Sequence, residues 1–552
     1  MFQTRFAARA AKVAAVVALL SGAASANEGH EKHGQWMAGD FHQHTLYTDG
    51  STPFDYVMSR NNMYGLDWWA NSEHGGTGRT DGNGVPWTSY SPNPAVGSPA
   101  PSGMYRWQSL RDFVFADVLK ARATYPNRRI FNGYEWNVPG HEHCSTGIVA
   151  DDPSAISAFE FQFDGSDADM SRIGEKTPFG VLAKQNGRTY PGNAGKTMPE
   201  RHADAVKACA WMQEQYKAGT IENGWIVFAH VERAGAWNPT SGGGYNVEHF
   251  RDFNNAGPDV CFGIEGAPGH QVEPFRGFGN AVTCSGTTCT SKDFGGTYGG
   301  VGHYTAKVGG LWDALLGEGR HFWNFASSDY HEHWSRGSSD FYPGEYQKDW
   351  AFVKGERSYN DIVDAMRSGN SFFVMGDLID RLDFTVSQGH AKATMGETLD
   401  GRLTGKHSGP VTVKIRFHTP PFNNQGAKPA VDHVDLIAGN VTGRIDPSSP
   451  EYKNATNPST EVVASFSAKD FVKDEDGLYS VSYDLVLDGP GYLRLRGTNL
   501  PCGTPNETGP VTALPSADYC SPLPDALMGQ NDAGKAFKDL WFYSNPIFVA
   551  AK

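Results

Sequence analysis

The sequence has few cysteines, no excess of positive charge and no long hydrophobic run beyond its first residues. Lys and Arg number 47 against 61 Asp and Glu, which gives a formal net charge of −14. Such a chain lacks the basic surface that binds nucleic acid or anionic lipid, although small phosphoesters stay open as substrates because bound metal ions can invert a local field. Neither a GxSxG elbow nor an HExxH helix occurs, so those two hydrolase classes are excluded.

The first 26 residues have the composition of a secretory leader. Three basic residues precede a short apolar run at 13–20, and small residues occupy 24–26. The run is much shorter than the ~20 residues that span a bilayer. We therefore expect cleavage after Ala26, a periplasmic or secreted location without membrane insertion, and a net charge of −17 once the three basic residues are lost.

Seven cysteines fit export to an oxidising compartment. Two local bridges are predicted over loop-like sequence, with a third candidate pairing and one cysteine left over. The two local bridges are Cys284 with Cys289 and Cys502 with Cys520. The third candidate pairing is Cys209 with Cys261, and Cys144 is left over.

Strand-like runs alternate with helical patterns between residues 36 and 376. One helical pattern has Thr52 as its N-cap, Pro53 in its first turn and Gly65 beyond its end. About eight such units predict an α/β fold, a distorted TIM-like (β/α)7-8 barrel over 36–380. Surplus length at 75–106 and 236–310 is predicted to cover the face that carries the active site.

From about residue 380 the pattern changes to strict alternation of apolar and polar residues. Val411, Val413, Ile415 and Phe417 show it, and Gly, Pro and Asn bound such runs. This period of two predicts an antiparallel β-sandwich over residues 381–552.

Side chains that can bind metal follow five of the strand-like runs. Barrel strands end on one face, so these side chains are expected to converge there. Imidazole and carboxylate are ligands that borderline divalent ions prefer. The residues are His42, His44 and Asp49; Glu73 and His74; Glu135 with His141 and His143; His230; and Asp329 with His331.

The same segments resemble the polymerase and histidinol phosphatase (PHP) family of metallohydrolases. The matching pieces are DFHQHTLYTDG, GLDWWANSEH, GYEW, His230 and SDYH, spread over residues 36–376. The resemblance implies a PHP-type barrel that holds two or three divalent ions (Zn, Mn or Fe) and hydrolyses phosphoesters. It implies one ion at His42, His44, Glu135 and Asp329, a second at Asp49, His74 and His331, and a third at Glu135, His143 and His230.

Two positions depart from that pattern or leave it open. Family members commonly have Asp where this chain has Glu73, which we interpret as a group that orients His74. His141 and His143 compete for one ligand position, and His143 is preferred because it borders the strand-like run CSTGIVA.

The net positive charge of such a cluster predicts attack by a metal-bridging hydroxide, with Glu135 and Asp329 as catalytic residues and Arg336, near the last motif, as a third. Arg79, Arg233 and His333 are the candidate substrate-binding residues, since a guanidinium can fork onto phosphate oxygens and His333, on the same face as His331, could protonate the leaving group. For each arginine the alternative is a solvated surface or an ion pair, and for His333 it is a place at the rim.

The predicted function is an exported metal-dependent phosphoesterase for a small phosphorylated compound, with no obligate protein partner. One alternative keeps the metal ions but cleaves an amide, lactone or carboxyl ester. Another is a non-catalytic, metal-stabilised binding module. Nine ligands over three ions leave about three each, short of the closed four of structural zinc, which argues against the module.

Overall fold

Short strands and helices alternate up to about residue 376, and strands predominate after it. The computed structural model describes residues 34–95, 103–185, 195–272, 280–285, 288–293, 298–401, 410–501 and 533–551. The predicted leader lies outside these residues. Trp36–Lys552 forms one compact unit.

Twenty-seven strands occur in the described residues. In chain order the first sixteen are β1 (Gln35–Asp40), β2 (Trp68–Ala70), β3 (Thr77–Gly78), β4 (Met104–Tyr105), β5 (Arg129–Phe131), β6 (Gly133–Trp136), β7 (Cys144–Val149), β8 (Lys176–Thr177), β9 (Gly180–Val181), β10 (Asn223–Phe228), β11 (Cys261–Ala267), β12 (Asn280–Ser285), β13 (Thr288–Asp293), β14 (Trp323–Ala326), β15 (Gln347–Val353) and β16 (Ser371–Met375). The others are β17 (Arg381–Gln388), β18 (Ala391–Thr394), β19 (Thr398–Gly401), β20 (Val411–His418), β21 (His433–Asn440), β22 (Glu461–Ser467), β23 (Val472–Lys473), β24 (Tyr479–Leu485), β25 (Gly491–Thr498), β26 (Trp541–Ser544) and β27 (Ile547–Ala551).

Ten α-helices are described, most of them before residue 380. They are α1 (Phe54–Met63), α2 (Arg106–Ser109), α3 (Phe115–Thr124), α4 (Ser154–Phe163), α5 (Met198–Ala218), α6 (Val247–Ala256), α7 (His303–Ala306), α8 (Leu311–Leu316), α9 (Tyr359–Ser368) and α10 (Ala533–Ala536). A π-helical turn at Leu110–Val114 joins α2 to α3, and short 3-10 turns lie at Trp87–Ser89, Tyr298–Gly300, Trp334–Arg336 and Pro450–Lys453.

Helix α1 starts later than the sequence predicts. Pro53 is its cap residue, and no side chain caps the first turn. The Thr52 hydroxyl lies 3.4 Å from Tyr330 Oη instead, so a tertiary contact has replaced the local cap. Gly65 follows the helix in a left-handed conformation, as predicted.

Most strands of the first part divide between two sheets, while β3 with β4, β8 with β9 and β12 with β13 form separate two-stranded sheets. β1, β2 and β5 are parallel neighbours in the larger sheet. The second sheet has the order β14-β11-β10-β7-β6, in which β7 runs antiparallel to both neighbours. Isolated bridges from Gln43 to Tyr330 and from His74 to Glu135 connect the two sheets beyond the strand ends. The architecture is therefore mixed α/β, but the described strands do not close into the predicted continuous barrel.

The later strands form antiparallel ladders, except that β19 and β27 pair in parallel. β20 buries Val411, Val413, Ile415 and Phe417 on one face, in keeping with the predicted alternation. Its sheet has the order β18-β17-β20-β24-β23. The other ladder includes β25 and β26, and β26 pairs with β16, so the larger sheet continues across the predicted boundary near residue 380. A separate sandwich stays a prediction.

One disulfide is described, between Cys209 of α5 and Cys261 of β11, while Cys144 is buried and free. The backbone register sets Cys284 opposite Cys289. The side chains of that pair, and the pair of Cys502 and Cys520, lie outside the described residues. No described helix combines the length and apolar character needed to cross a bilayer.

Candidate metal centre

The nine predicted metal ligands meet at one end of the two sheets. We call them the cup: His42, His44, Asp49, His74, Glu135, His143, His230, Asp329 and His331. His42 follows β1, His230 follows β10 and Asp329 follows β14, all at the carboxyl ends of parallel strands. His143 precedes β7, whose antiparallel direction brings its beginning to the same end. The chain direction of each strand thus explains why residues so distant in sequence converge.

Glu135, on the buried strand β6, lies at the centre of the cup. One or other of its carboxylate oxygens is near a nitrogen of five histidines. These are His42 Nε2 at 3.2 Å, His44 Nε2 at 3.5 Å, His74 Nδ1 at 2.6 Å, His143 Nδ1 at 2.9 Å and His230 Nε2 at 3.0 Å. A carboxylate has about four lone-pair sites, so it cannot serve five separate donors well.

Asp329 forms the second carboxylate centre. Its Oδ1 lies 3.0 Å from His42 Nε2 and 3.2 Å from His44 Nε2. The backbone of Asp329 has φ 41° and that of His230 has φ 30°, a region that non-glycine residues rarely adopt. Strain of this kind persists where surrounding structure enforces it and is concentrated at functional sites.

Asp49 stands at the open rim of the cup. Its side chain is 54% exposed, whereas the side chains of Glu135 and Asp329 are 1% exposed. His74 Nε2 lies 3.1 Å and His331 Nε2 lies 3.5 Å from Asp49 Oδ2. Solvent therefore reaches the cup from this side.

The histidines hold the two buried carboxylates in their charged form. Burial alone would raise the pKa of Glu135, but the positive charges of His143, His74 and His42 hold that pKa well below its usual range. The pKa of Asp329 is likewise well below its usual range, because His42, His270 and His331 together outweigh the effect of burial. Both side chains are thus in the state that binds a cation.

The imidazoles of His42 and His44 differ in charge preference. Burial lowers the pKa of His42, but Asp329 and Glu265 outweigh it and hold that pKa well above its usual value. For His44, burial together with the nearby His331 lowers the pKa to about 3. The centre of the cup therefore attracts positive charge and contains a neutral imidazole, which is the ligand form of histidine.

The donor set fits divalent metal ions. Three groups of cup residues each have ligand atoms within 4.8 Å of one another: His42, His44, Glu135 and Asp329; His44, Asp49, His74 and His331; and His74, Glu135 and His143. Among the described residues, Glu135 Oε2 and His44 Nδ1 have no partner in hydrogen-bond geometry although both are buried. Mixed imidazole and carboxylate ligands suit Zn, Mn and Fe, and cations shared within these groups would satisfy those atoms.

Sequence reasoning missed Glu265, at the end of β11. Its carboxylate lies 2.9 Å from His42 Nδ1 and accepts hydrogen bonds from the hydroxyls of Ser145 and Ser327. This bond keeps a proton on His42 Nδ1, so Nε2, which faces the cup, is the nitrogen that would bind a metal ion after losing its own proton, the arrangement typical of metal-binding histidines. The strand-end rule that selected Glu135 would also have found Glu265 in CFGIEG.

His270 is a second missed residue. Its Nε2 lies 3.0 Å from Asp329 Oδ2 and its Nδ1 lies 2.8 Å from Asp340 Oδ1. It has φ 60°, so the chain reaches this position through a strained turn. The segment 236–310, which contains it, reads in sequence only as loop.

Glu73 was predicted to orient His74, but among the described residues its carboxylate is hydrogen-bonded to other partners. Its buried carboxylate accepts hydrogen bonds from the hydroxyls of Thr45 and Thr48, at 2.5 and 2.7 Å, and from the Thr45 backbone N–H. Glu73 therefore fixes the turn that follows His44. The alternative ligand His141 points away from Glu135 and contacts His202 instead.

The four remaining predicted site residues have different surroundings. Arg233 lies beside the cup, where its Nη2 donates to Glu142 Oε2 at 2.8 Å and the same oxygen is 3.4 Å from His230 Nδ1. His333 is buried between Ser335 and Glu345, stacked on Tyr342. Arg79 and Arg336 are exposed, and within the described part of the chain no ion pair joins His333, Arg79 or Arg336 to the cup. Their roles stay predictions.

Comparison with known proteins gives little beyond this geometry. No protein-family model matches the chain, and no curated protein matches it. It is similar to the solved structure of a two-domain protein from Bacteroides vulgatus that contains a predicted PHP-like metal-dependent phosphoesterase, at 14% sequence identity. The match covers 85% of this chain and 92% of that chain with a TM-score of 0.30, too low to support a functional assignment.

Proposed function

We propose that this protein is an exported, metal-dependent phosphoesterase of the PHP type that acts on a small phosphorylated compound. The single observation that supports it most is the position of Glu135, a buried carboxylate that five histidines approach within 3.5 Å. A structural metal site closes around one ion with four ligands. A shared central carboxylate instead suits a cluster of ions with open positions.

The cup residues would hold two or three ions and keep them in place. Glu135 would be the shared ligand, Asp329 would bind on the side of His42 and His44, and Asp49 would bind on the solvent side. Such ions, when bound, supply Lewis acidity, which lowers the pKa of water and neutralises charge on a phosphoryl group. Glu265 contributes by holding the ring of His42 in one tautomer.

Arg233 is the residue best placed to orient an anionic substrate. Its side chain is 30% exposed and is anchored by Glu142, next to His230. Burial lowers its pKa, but Glu142, Asp329 and Glu135 outweigh that effect and raise it, so the guanidinium stays charged. A fixed, charged fork at the rim can bind two oxygens of a phosphate.

Export is part of the proposal and has its own support. The leader-like composition of residues 1–26 points to secretion, and the disulfide between Cys209 and Cys261 persists only in an oxidising compartment in most organisms.

The proposal is tested with a panel of phosphomonoesters, phosphodiesters and carboxyl esters, assayed with Mn²⁺, Zn²⁺ or Fe²⁺. We expect hydrolysis of phosphoesters that a chelator abolishes. Glu135→Gln and Asp329→Asn should each reduce kcat/KM by at least about a hundredfold, because each removes a carboxylate that neutralises a bound ion.

Glu475→Gln, which changes an exposed carboxylate outside the cup, is the matched control and should be fully active. Activity on carboxyl esters alone would favour the ester-hydrolase alternative. Activity that survives both Glu135→Gln and Asp329→Asn would refute the cup as the catalytic site.

A further inference from the structure

A second histidine cluster lies outside the cup. We call it the histidine triad: His141 in the loop before β7, His202 on α5 and His249 on α6. One nitrogen from each ring lies within 4.8 Å of the other two. The ring centroids are 4.6 to 5.0 Å apart, and none of the three contacts Glu135 or Asp329. The triad has no role in the proposed function.

Outer hydrogen bonds fix which nitrogen of two rings carries the proton. His141 Nδ1 lies 3.1 Å from the backbone oxygen of Gly244, and His202 Nε2 lies 3.1 Å from Asp252 Oδ2. A carbonyl or carboxylate oxygen only accepts, so each of these nitrogens must be the donor N–H. The other nitrogen of each neutral ring therefore has a lone pair.

Those two lone pairs face each other. His141 Nε2 and His202 Nδ1 are 2.9 Å apart, and when both rings are neutral neither nitrogen has a proton to donate. Two nitrogens that bind one ion at 2.0–2.1 Å in a tetrahedral site are roughly 3.3 Å apart, so a small outward shift would admit a metal ion. The hydrogen bonds to Gly244 and Asp252 also match the outer bonds that orient metal-binding histidines.

We propose that the histidine triad binds one borderline divalent cation, with Zn²⁺ as the preferred ion. His141 Nε2 and His202 Nδ1 are the principal ligands. Imidazole ligands suit Zn²⁺, Cu²⁺ and Ni²⁺, whereas Mn²⁺ and Mg²⁺ favour oxygen. The triad therefore differs in selectivity from the carboxylate-containing cup.

His249 is the third and weakest ligand. Its Nδ1 accepts the backbone N–H of Asn246 at 3.0 Å, which caps helix α6. Binding through the other nitrogen requires this ring to change tautomer and to give up the cap. Removal of His249 should consequently weaken the site less than removal of either principal ligand.

The bound ion would brace the loop that enters the cup. His141 is two residues from His143 and stacks on Tyr245 and Trp237, at ring-centroid distances of 4.8 and 5.9 Å. The ion would join this loop to α5 and α6, so its role is structural. The proposal does not depend on which bond the cup cleaves.

The test is metal analysis of the full chain after chelation and reloading with Zn²⁺. Wild type should hold about one more equivalent of Zn²⁺ per chain than His202→Gln or His141→Gln. Asp252→Asn should bind this ion about 10- to 100-fold more weakly, since Asp252 only orients His202. The cup variant Asp329→Asn should keep the triad ion, which separates failure of this proposal from failure of the phosphoesterase proposal.

His321→Gln is the matched control, because His321 stacks on Trp323 outside both clusters, and it should leave Zn²⁺ content unchanged. Equal Zn²⁺ content in wild type, His141→Gln and His202→Gln would overturn the proposal and leave a shared proton between the rings. If those variants fail to fold, anomalous scattering from Zn²⁺-soaked wild-type crystals decides it. A peak between His141 and His202 supports the site, and its absence overturns it.

Discussion

Buried charge is arranged in two different ways in this molecule, in the cup and in the ion pairs that attach the C-terminal strands. In the pairs, each guanidinium is matched to a carboxylate. Arg494 on β25 donates through Nε and Nη2 to the two oxygens of Asp313 on α8, at 2.8 and 2.7 Å. Glu318 instead accepts from two guanidiniums, those of Arg251 and Arg320, and all three are buried; Arg251 also donates to the backbone oxygen of Tyr452.

In the cup, buried carboxylates face imidazoles instead. A guanidinium has no lone pair and keeps its charge, so an Arg–carboxylate pair is complete without any other group. Imidazole can give up its proton and bind a cation through nitrogen. The comparison shows that the type of base beside a buried carboxylate distinguishes a structural pair from a site that can recruit ions.

The largest expected effect is on stability, from breaking the pair of Arg494 and Asp313. Arg494→Met leaves an uncompensated buried carboxylate and should lower the free energy of unfolding by about 3–5 kcal/mol. Urea denaturation measures the loss. The double variant Arg494→Met with Asp313→Leu should recover most of the lost stability. No recovery would mean that the two side chains stabilise the fold by more than compensating each other's charge.

The cup should respond to metal in a way that the ion pairs do not. At 100 times its dissociation constant, Mn²⁺ should stabilise the folded wild type by about 2.7 kcal/mol, because it binds only the folded state. Glu135→Gln should lose most of this gain, as measured by thermal unfolding with and without Mn²⁺. An equal gain in Glu135→Gln would show that Mn²⁺ binds elsewhere.

A smaller effect on metal binding is expected from a residue that contacts a candidate ligand only through another residue. Ser327 donates to Glu265 Oε2 at 2.7 Å, and Glu265 holds His42. Ser327→Ala should weaken metal binding about 10- to 100-fold, which is about 1.4–2.7 kcal/mol. Titration of chelated protein with Mn²⁺ checks this, and Ser387→Ala on the distant strand β17 should bind as wild type does.

The smallest effect is expected for a partly exposed ion pair. Arg381 and Asp383 are 39% and 22% exposed and lie 2.8 Å apart. Solvent screens such a pair, so Arg381→Gln should change the free energy of unfolding by less than about 1 kcal/mol. A loss as large as that for Arg494→Met would contradict the distinction drawn between buried and exposed pairs.

Local sequence was sufficient to predict that the candidate ligands after apolar strands would converge. His42, His230 and Asp329 directly follow such strands, and the strand direction alone brings them together. Glu265 lies near the carboxyl end of β11, in CFGIEG, so the same pattern applies to it. His270 could not be found this way, since a turn with φ 60° brings it back to Asp329.

Sheet connectivity was harder to predict than the strands themselves. The alternation in β20 predicted its buried face correctly, from Val411 to Phe417. Period-two patterns do not encode which strands pair when the partners are far apart in sequence. The pairing of β16 with β26, about 170 residues later, is therefore invisible in the sequence, as is the division of the first strands between two sheets.

The pairing of β16 with β26 also bears on aggregation. Phe372, Phe373 and Val374 are hydrogen-bonded to the strand from Phe542 to Ser544. A chain cut near residue 380 would expose this apolar strand as an unpaired sheet edge, which invites other chains to add to it. By pairing with β16, the C-terminal strand β26 covers an edge of the sheet that carries His42 and His44, and this pairing is expected to prevent self-association of that edge.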